Sequence, residues 1–166
     1  MRSVSGMRAA LLSFVFTPMP ETIRFIRNEV RLRIPAASKI PGWLRSIARK
    51  ERARIGELNY IFCSDQYLLA LNREHLGHDY FTDIITFDLS EDRGTMMGEI
   101  YISVDRVREN ASTFGVSFST ELYRVMAHGL LHLLGYKDKK KEDKAKMRLK
   151  EDACLSLLLG STWNKK

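Results

Sequence analysis

The chain has 166 residues, 45% of them hydrophobic, which suits one domain with a core of its own. Its 27 Lys and Arg against 20 Asp and Glu give a formal charge of +7, a bias toward polyanions that identifies none of them. Cys63 and Cys154, with no C-x-x-C spacing, exclude a zinc site built on paired thiolates and suit a reduced, cytoplasmic protein whose thiols pack inside.

Residues 1 to 18 place Arg2 and Arg8 before the apolar run Ala9 to Phe16, in imitation of a secretory signal. No small-residue cleavage site follows, since Thr17, Pro18, Met19 and Pro20 hold that place, and eight residues are too few to cross a bilayer. The expectation is an extension outside the fold, with Met19 a candidate start, residues 19 to 166 a single domain, and no membrane segment. "TIRFIRNEVRLRI", residues 22 to 34, alternates apolar and basic side chains and predicts a strand or hairpin ended by Pro35. Ser38 is expected to cap a helix over residues 39 to 54, with Ile40, Trp43, Leu44 and Ile47 inward and Gly56 as its breaker.

"ELNYIFCS" then reads as a strand, and Ser64 as the cap of a helix over "DQYLLALNREHL". "IITFDLS" and "MGEIYISV" are strands able to pair across the turn "SEDRGT". "DRVRENASTFG" predicts a short helix ended by Gly115. "STELYRVMAHGLLHLLG" predicts a long one, capped at Ser119 or Thr120 and stopped by Gly135. A last helix over residues 141 to 159 turns Met147, Cys154, Leu157 and Leu158 inward. Strands early and helices late indicate an α+β fold, a small mixed β-sheet with helices packed on it.

The chemistry concentrates in "AHGLLHLLGYKDKKKED", residues 127 to 143. Residues four apart share a helix face, so His128 and His132 can aim both imidazoles at one point, and Gly135 lets the chain fold back to bring Asp138 to them. Two histidines packed as polar spots in a leucine-rich helix is the competing reading. Against it stand four ring nitrogens that would all need partners, and offsets that match the metzincin pattern HExxHxxGxxH. Gly129 stands where a protease carries its catalytic Glu, and Asp138 where the third His would be. With Asp138 as third ligand, one Zn²⁺ would keep an open position and a net charge near +1.

At these residues the sequence resembles the YbeY family. "HGLLHLLGYKD" is similar to that family's HGxLHLxGYDH signature, "LNREHLGHDYFTDIITFD" (71 to 88) to its LNxxYRxxDxPTDVLSF block, and "GEIYIS" (98 to 103) to its GDIxIS strand. The resemblance covers about residues 20 to 160. It implies a zinc-dependent, single-strand-specific endoribonuclease acting on ribosomal RNA, at the 3′ end of the small-subunit rRNA, in ribosome biogenesis. A non-catalytic assembly factor with a structural metal is the alternative.

Three departures stand out: Asp138 for the third His, Lys137 for the preceding Asp, and Leu76 for an Arg thought to engage phosphate. Arg73, one turn before Leu76, and Lys137 are the substitutes expected to meet phosphate, with Lys139 more simply a surface charge. Tyr80, Phe81 or Tyr136 could stack on bases or simply pack. His75 and His78 read as loop histidines facing water, and Asp83 as a loop hydrogen-bonding residue or an orienter of a cleft group.

Overall fold

The computed structural model describes residues 21–91 and 94–160. The expected extension over residues 1 to 18 lies outside them. Among the described residues four strands and five helices follow in the order β1 Thr22–Arg27, α1 Ile40–Lys50, β2 Arg54–Cys63, α2 Asp65–Leu76, β3 Ile84–Asp88, β4 Thr95–Ser103, α3 Val104–Phe114, α4 Phe118–Leu133 and α5 Lys141–Leu159. The sheet runs β1-β2-β4-β3, with β1, β2 and β4 mutually parallel and β3 antiparallel to β4 at the edge. This is the mixed α+β arrangement expected.

Parallel strands buried on both faces read as apolar runs, and β2 does so only in its second half, where Tyr60, Ile61, Phe62 and Cys63 are all buried; before it, Leu58 is buried while Glu57 and Asn59 on the other face are half-buried. Trp43 is core as well, donating its indole N–H to the Cys154 carbonyl at 2.7 Å. Cys63 and Cys154 are both buried, and burial pushes their thiols up to about 12 and about 11.

Several local expectations are corrected. The alternation over residues 30 to 34 is not a hairpin strand: Glu29 at φ 57 turns the chain out of β1, and Arg27 Nε donates to the Leu32 carbonyl at 2.6 Å. Val30, Leu32 and Ile34 still face the core, so the pattern marks burial without pairing. Helix α1 ends at Lys50, and Gly56 lies inside β2 at a register shift between Ile55 and Glu57. A Cβ there would stand 2.6 Å from Thr95 Cγ2, so the glycine serves close strand approach.

The caps divide in the same way. Ser64 caps α2 through Tyr67 N–H as expected. Lys39 occupies the first cap of α1 with no side-chain bond, and Ser117 caps α4 two residues ahead of Ser119. On α5, Leu157 is exposed, and Glu151 and Leu155 turn inward beside Met147 and Cys154.

Helix α4 lies across β3 and β4 and touches α3 and α5. The approach to the sheet is close at two glycines. A Cβ on Gly129 would meet Ile100 Cγ2 and Ile84 Cδ1, each at 2.7 Å, and one on Gly98 would meet Leu133 Cδ1 at 2.7 Å. Helix and strand each give up a side chain where the other presses in. Among the described residues no helix is long and apolar enough to cross a membrane.

Candidate metal centre and its cleft

Helix α4 ends in a Schellman turn. Gly135 sits at φ +91, Tyr136 N–H donates to the Leu131 carbonyl at 3.0 Å, and Gly135 N–H donates to His132 at 2.9 Å. That turn does two things. It brings Asp138 back over the helix, and it points the Tyr136 carbonyl at His132 Nδ1, 2.9 Å away.

A carbonyl only accepts, so His132 carries its proton on Nδ1 and leaves Nε2 bare. His128 is held the same way from another helix: its Nδ1 lies 2.7 Å from Glu151 Oε1 on α5. Burial works against ionising Glu151, but the bonds from His128 and Arg124 more than reverse this and hold the carboxyl below its ordinary 4.5. It is therefore an acceptor, and His128 also presents a bare Nε2.

The two bare nitrogens face each other at 2.9 Å, with Asp138 Oδ2 at 3.6 Å from His128 and 3.4 Å from His132. Three acceptor atoms converging on one point are satisfied by a positive species between them, a shared proton or a metal cation. Donors about 2.0 to 2.1 Å from a tetrahedral ion stand roughly 3.3 Å apart, so the spacing fits a zinc-sized ion with little adjustment. The surrounding carboxylates favour positive charge at this point, whether proton or metal. Burial disfavours a charged His128, yet Glu151, Asp83 and Asp138 outweigh it and raise the imidazole above 6.5.

His128, His132 and Asp138 are thus brought together, each partly buried. Behind them lies a support that the sequence reading missed. Arg124, one turn before His128 on α4, donates to Glu151 Oε2 and Asp152 Oδ1, both at 3.0 Å. The sequence signal was an acid at position 151 on the stripe of Met147, Cys154 and Leu155.

The trio forms the floor of a cleft of about 320 Å³, whose walls come from α2, the loop after it and β3: Asn72, Leu76, His78, Tyr80, Thr82, Asp83, Ile84, Ile85 and Thr86. No Lys or Arg lines it among the described residues. Arg73 lies outside, its Nε bound to Asp79 Oδ1 at 2.6 Å. Lys137 opens into a neighbouring depression with Glu51, Tyr136, Asp143 and Lys146. Tyr136 also lines that depression and not the cleft, with the ammonium groups of Lys146 and Lys150 at 5.2 and 5.1 Å from its ring centroid, and donates its hydroxyl to Glu51.

Phe81 lies under the Arg106 guanidinium at 4.7 Å, and His75 meets Phe87 edge-on. Asp83 does enter the cleft wall. Its Oδ2 accepts from Asn110 Nδ2 at 3.3 Å, and its carbonyl from Ser103 N–H at 2.9 Å.

The family described as Endoribonuclease YbeY matches residues 26–158, including every residue of this site. The chain belongs to the YbeY family. An Endoribonuclease YbeY of Cytophaga hutchinsonii is 55% identical over 137 residues, 82% of this chain and 96% of its own length. One of Flavobacterium psychrophilum is 48% identical over 129 residues, 78% of this chain and 91% of its own. The solution structure of a Thermotoga maritima protein superposes with a TM-score of 0.56 at 28% identity, over 87% of this chain and all of that one. With the YbeY fold and this donor set in one molecule, the chain is read as an RNA hydrolase, an endoribonuclease.

Proposed function

We propose that this YbeY member is a zinc-dependent endoribonuclease. It cuts unpaired segments of ribosomal RNA, in small-subunit maturation in the cytoplasm, with His128, His132 and Asp138 as the zinc ligands. The observation that carries this is the convergence of two bare imidazole nitrogens and one carboxylate oxygen at the floor of an open cleft. An ion held there supplies positive charge and Lewis acidity to a phosphodiester oxygen.

The chain's own groups follow from the walls. Asp83 and Asp138 make the lining acidic, with no guanidinium or ammonium among the described residues to offset them, so phosphate is drawn in only when the ion is present. Gly129 leaves no room for the acid that a metzincin carries there, because Ile84 and Ile100 fill the space. Asp83, next to Ile84 at the start of β3, supplies a carboxylate from the sheet side instead. With Oδ2 held by Asn110, we assign Oδ1 to accept the proton of the attacking hydroxyl. Arg73 and Lys137 act outside the cleft, as contacts for phosphates flanking the scissile one.

Leu76, an apolar residue on the cleft wall, favours the second reading, an assembly factor with a structural ion. One experiment separates them: cleavage of single-stranded RNA, duplex RNA and a 2′-deoxy strand, by wild type and His128→Ala, with and without chelator. The enzyme cuts single strands alone, and His128→Ala folds but does not cut. Loss of the fold in His128→Ala, with no cutting by the wild type, would establish the structural ion.

A further inference from the structure

One wall of the cleft is made of flat rings. The chain leaves α2 through Gly77 at φ +66, and Asn72 fastens the next residues. Its carbonyl accepts from His78 N–H at 3.2 Å, and its Nδ2 donates to the Tyr80 carbonyl at 2.9 Å. Asn72 is only 2% exposed, so the anchor is inside the protein and what it holds is outside. The rings of His78 and Tyr80 lie parallel to within 22°, centroids 5.2 Å apart, with Tyr80 Oη 3.1 Å from His78 Nδ1. Tyr80 remains 58% exposed, and both rings border the cleft whose floor is His128, His132 and Asp138.

An exposed tyrosine on a pinned backbone, already stacked on one face, has little rotamer freedom left to lose on binding. Its ring area meets whatever enters the cleft. Among the described residues the lining holds no Lys or Arg, so what this wall recognises is a flat, uncharged face and not a phosphate.

We propose that Tyr80, backed by His78, is the stacking platform for one unpaired nucleobase of the substrate, an inference that rests on the endoribonuclease reading above. Stacking tolerates any base, because each has a π-face, and requires that the base be free of a duplex. The platform therefore supplies selectivity for single strands without reading sequence. It also holds the phosphate beside the stacked base over the metal trio.

The test is the affinity of zinc-loaded protein for a short fluorescent oligoribonucleotide and for an abasic strand of the same length, followed by anisotropy. Tyr80→Ala is expected to weaken the first about five- to a hundredfold, the usual worth of one stacked base, and to leave the second unchanged. Tyr80→Phe, which keeps the ring and loses the bond to His78, should stay within a few-fold of wild type. The Tyr80 ring-proton resonances should shift upfield when the oligonucleotide binds, a readout independent of cleavage. If wild type binds and cuts RNA while Tyr80→Ala does both equally well, the platform is wrong and the proposed function stands. If the wild type binds no RNA, both fall together.

Discussion

The two faces of α4 are built by opposite means. Toward the sheet it buries Gly129 against Ile84 and Ile100, a contact fixed by shape and without charge. Toward α5 it buries Arg124 and partly buries His128 against Glu151, a contact fixed by charge and hydrogen bonds. The first face resists an added atom, and the second resists a lost partner. The site exists because the apolar face sets the height of the helix over the sheet while the polar face sets which nitrogen of His128 is bare.

The strongest way to break this contrast is on the polar face. Glu151→Gln keeps the shape and removes the charge that orients His128, so zinc affinity should fall about 10- to 100-fold, read by titration of metal-free protein. On the apolar face, Gly129→Ala should cost about 1–3 kcal/mol of stability by overpacking. Adding Ile84→Val, which removes the Cδ1 that the new methyl meets, should restore part of that loss in thermal melts. Full stability in Gly129→Ala would show that the helix does not bear on the sheet as described.

The faces should also part with pH. The folded Glu151 carboxyl is held below 4.5, so its contribution to metal-free stability is present above that value and is lost as pH falls through the lowered one. The stability gap between wild type and Glu151→Gln should therefore close in acid, while the Gly129→Ala deficit persists. The smallest effect concerns the cleft wall. Leu76→Arg adds the cation that the lining lacks, and should tighten single-stranded RNA binding and steepen its salt dependence by about 0.7 in log–log slope, one phosphate's worth.

How much was legible in the sequence follows from how local each feature is. His128, His132, Gly135 and Asp138 lie within eleven consecutive positions, and helix period plus one glycine suffices to bring them together. The β3–β4 pair and the Ser64 cap are equally local. Beyond an acid on the apolar stripe of α5, the partnership of Glu151 and Arg124 was not readable, because two helices must pack side by side before either acid or base has a reason to be buried. Lys137 follows the same rule in reverse: it is next to a ligand in sequence, yet the Schellman turn that presents Asp138 leaves it over a different depression.

Alternation in residues 30 to 34 reported which side chains face the core but not whether the backbone pairs. Gly56 looked like a helix stop because a glycine needed for close strand approach carries the same letter.

The most direct test is the zinc stoichiometry and affinity of metal-free protein by calorimetry, for the wild type and Asp138→Ala. The three converging donors predict one ion per chain in the wild type and a clear loss of affinity without the carboxylate. Equal binding by the two proteins, or no binding by the wild type, would contradict the tripod on which the chemistry is built.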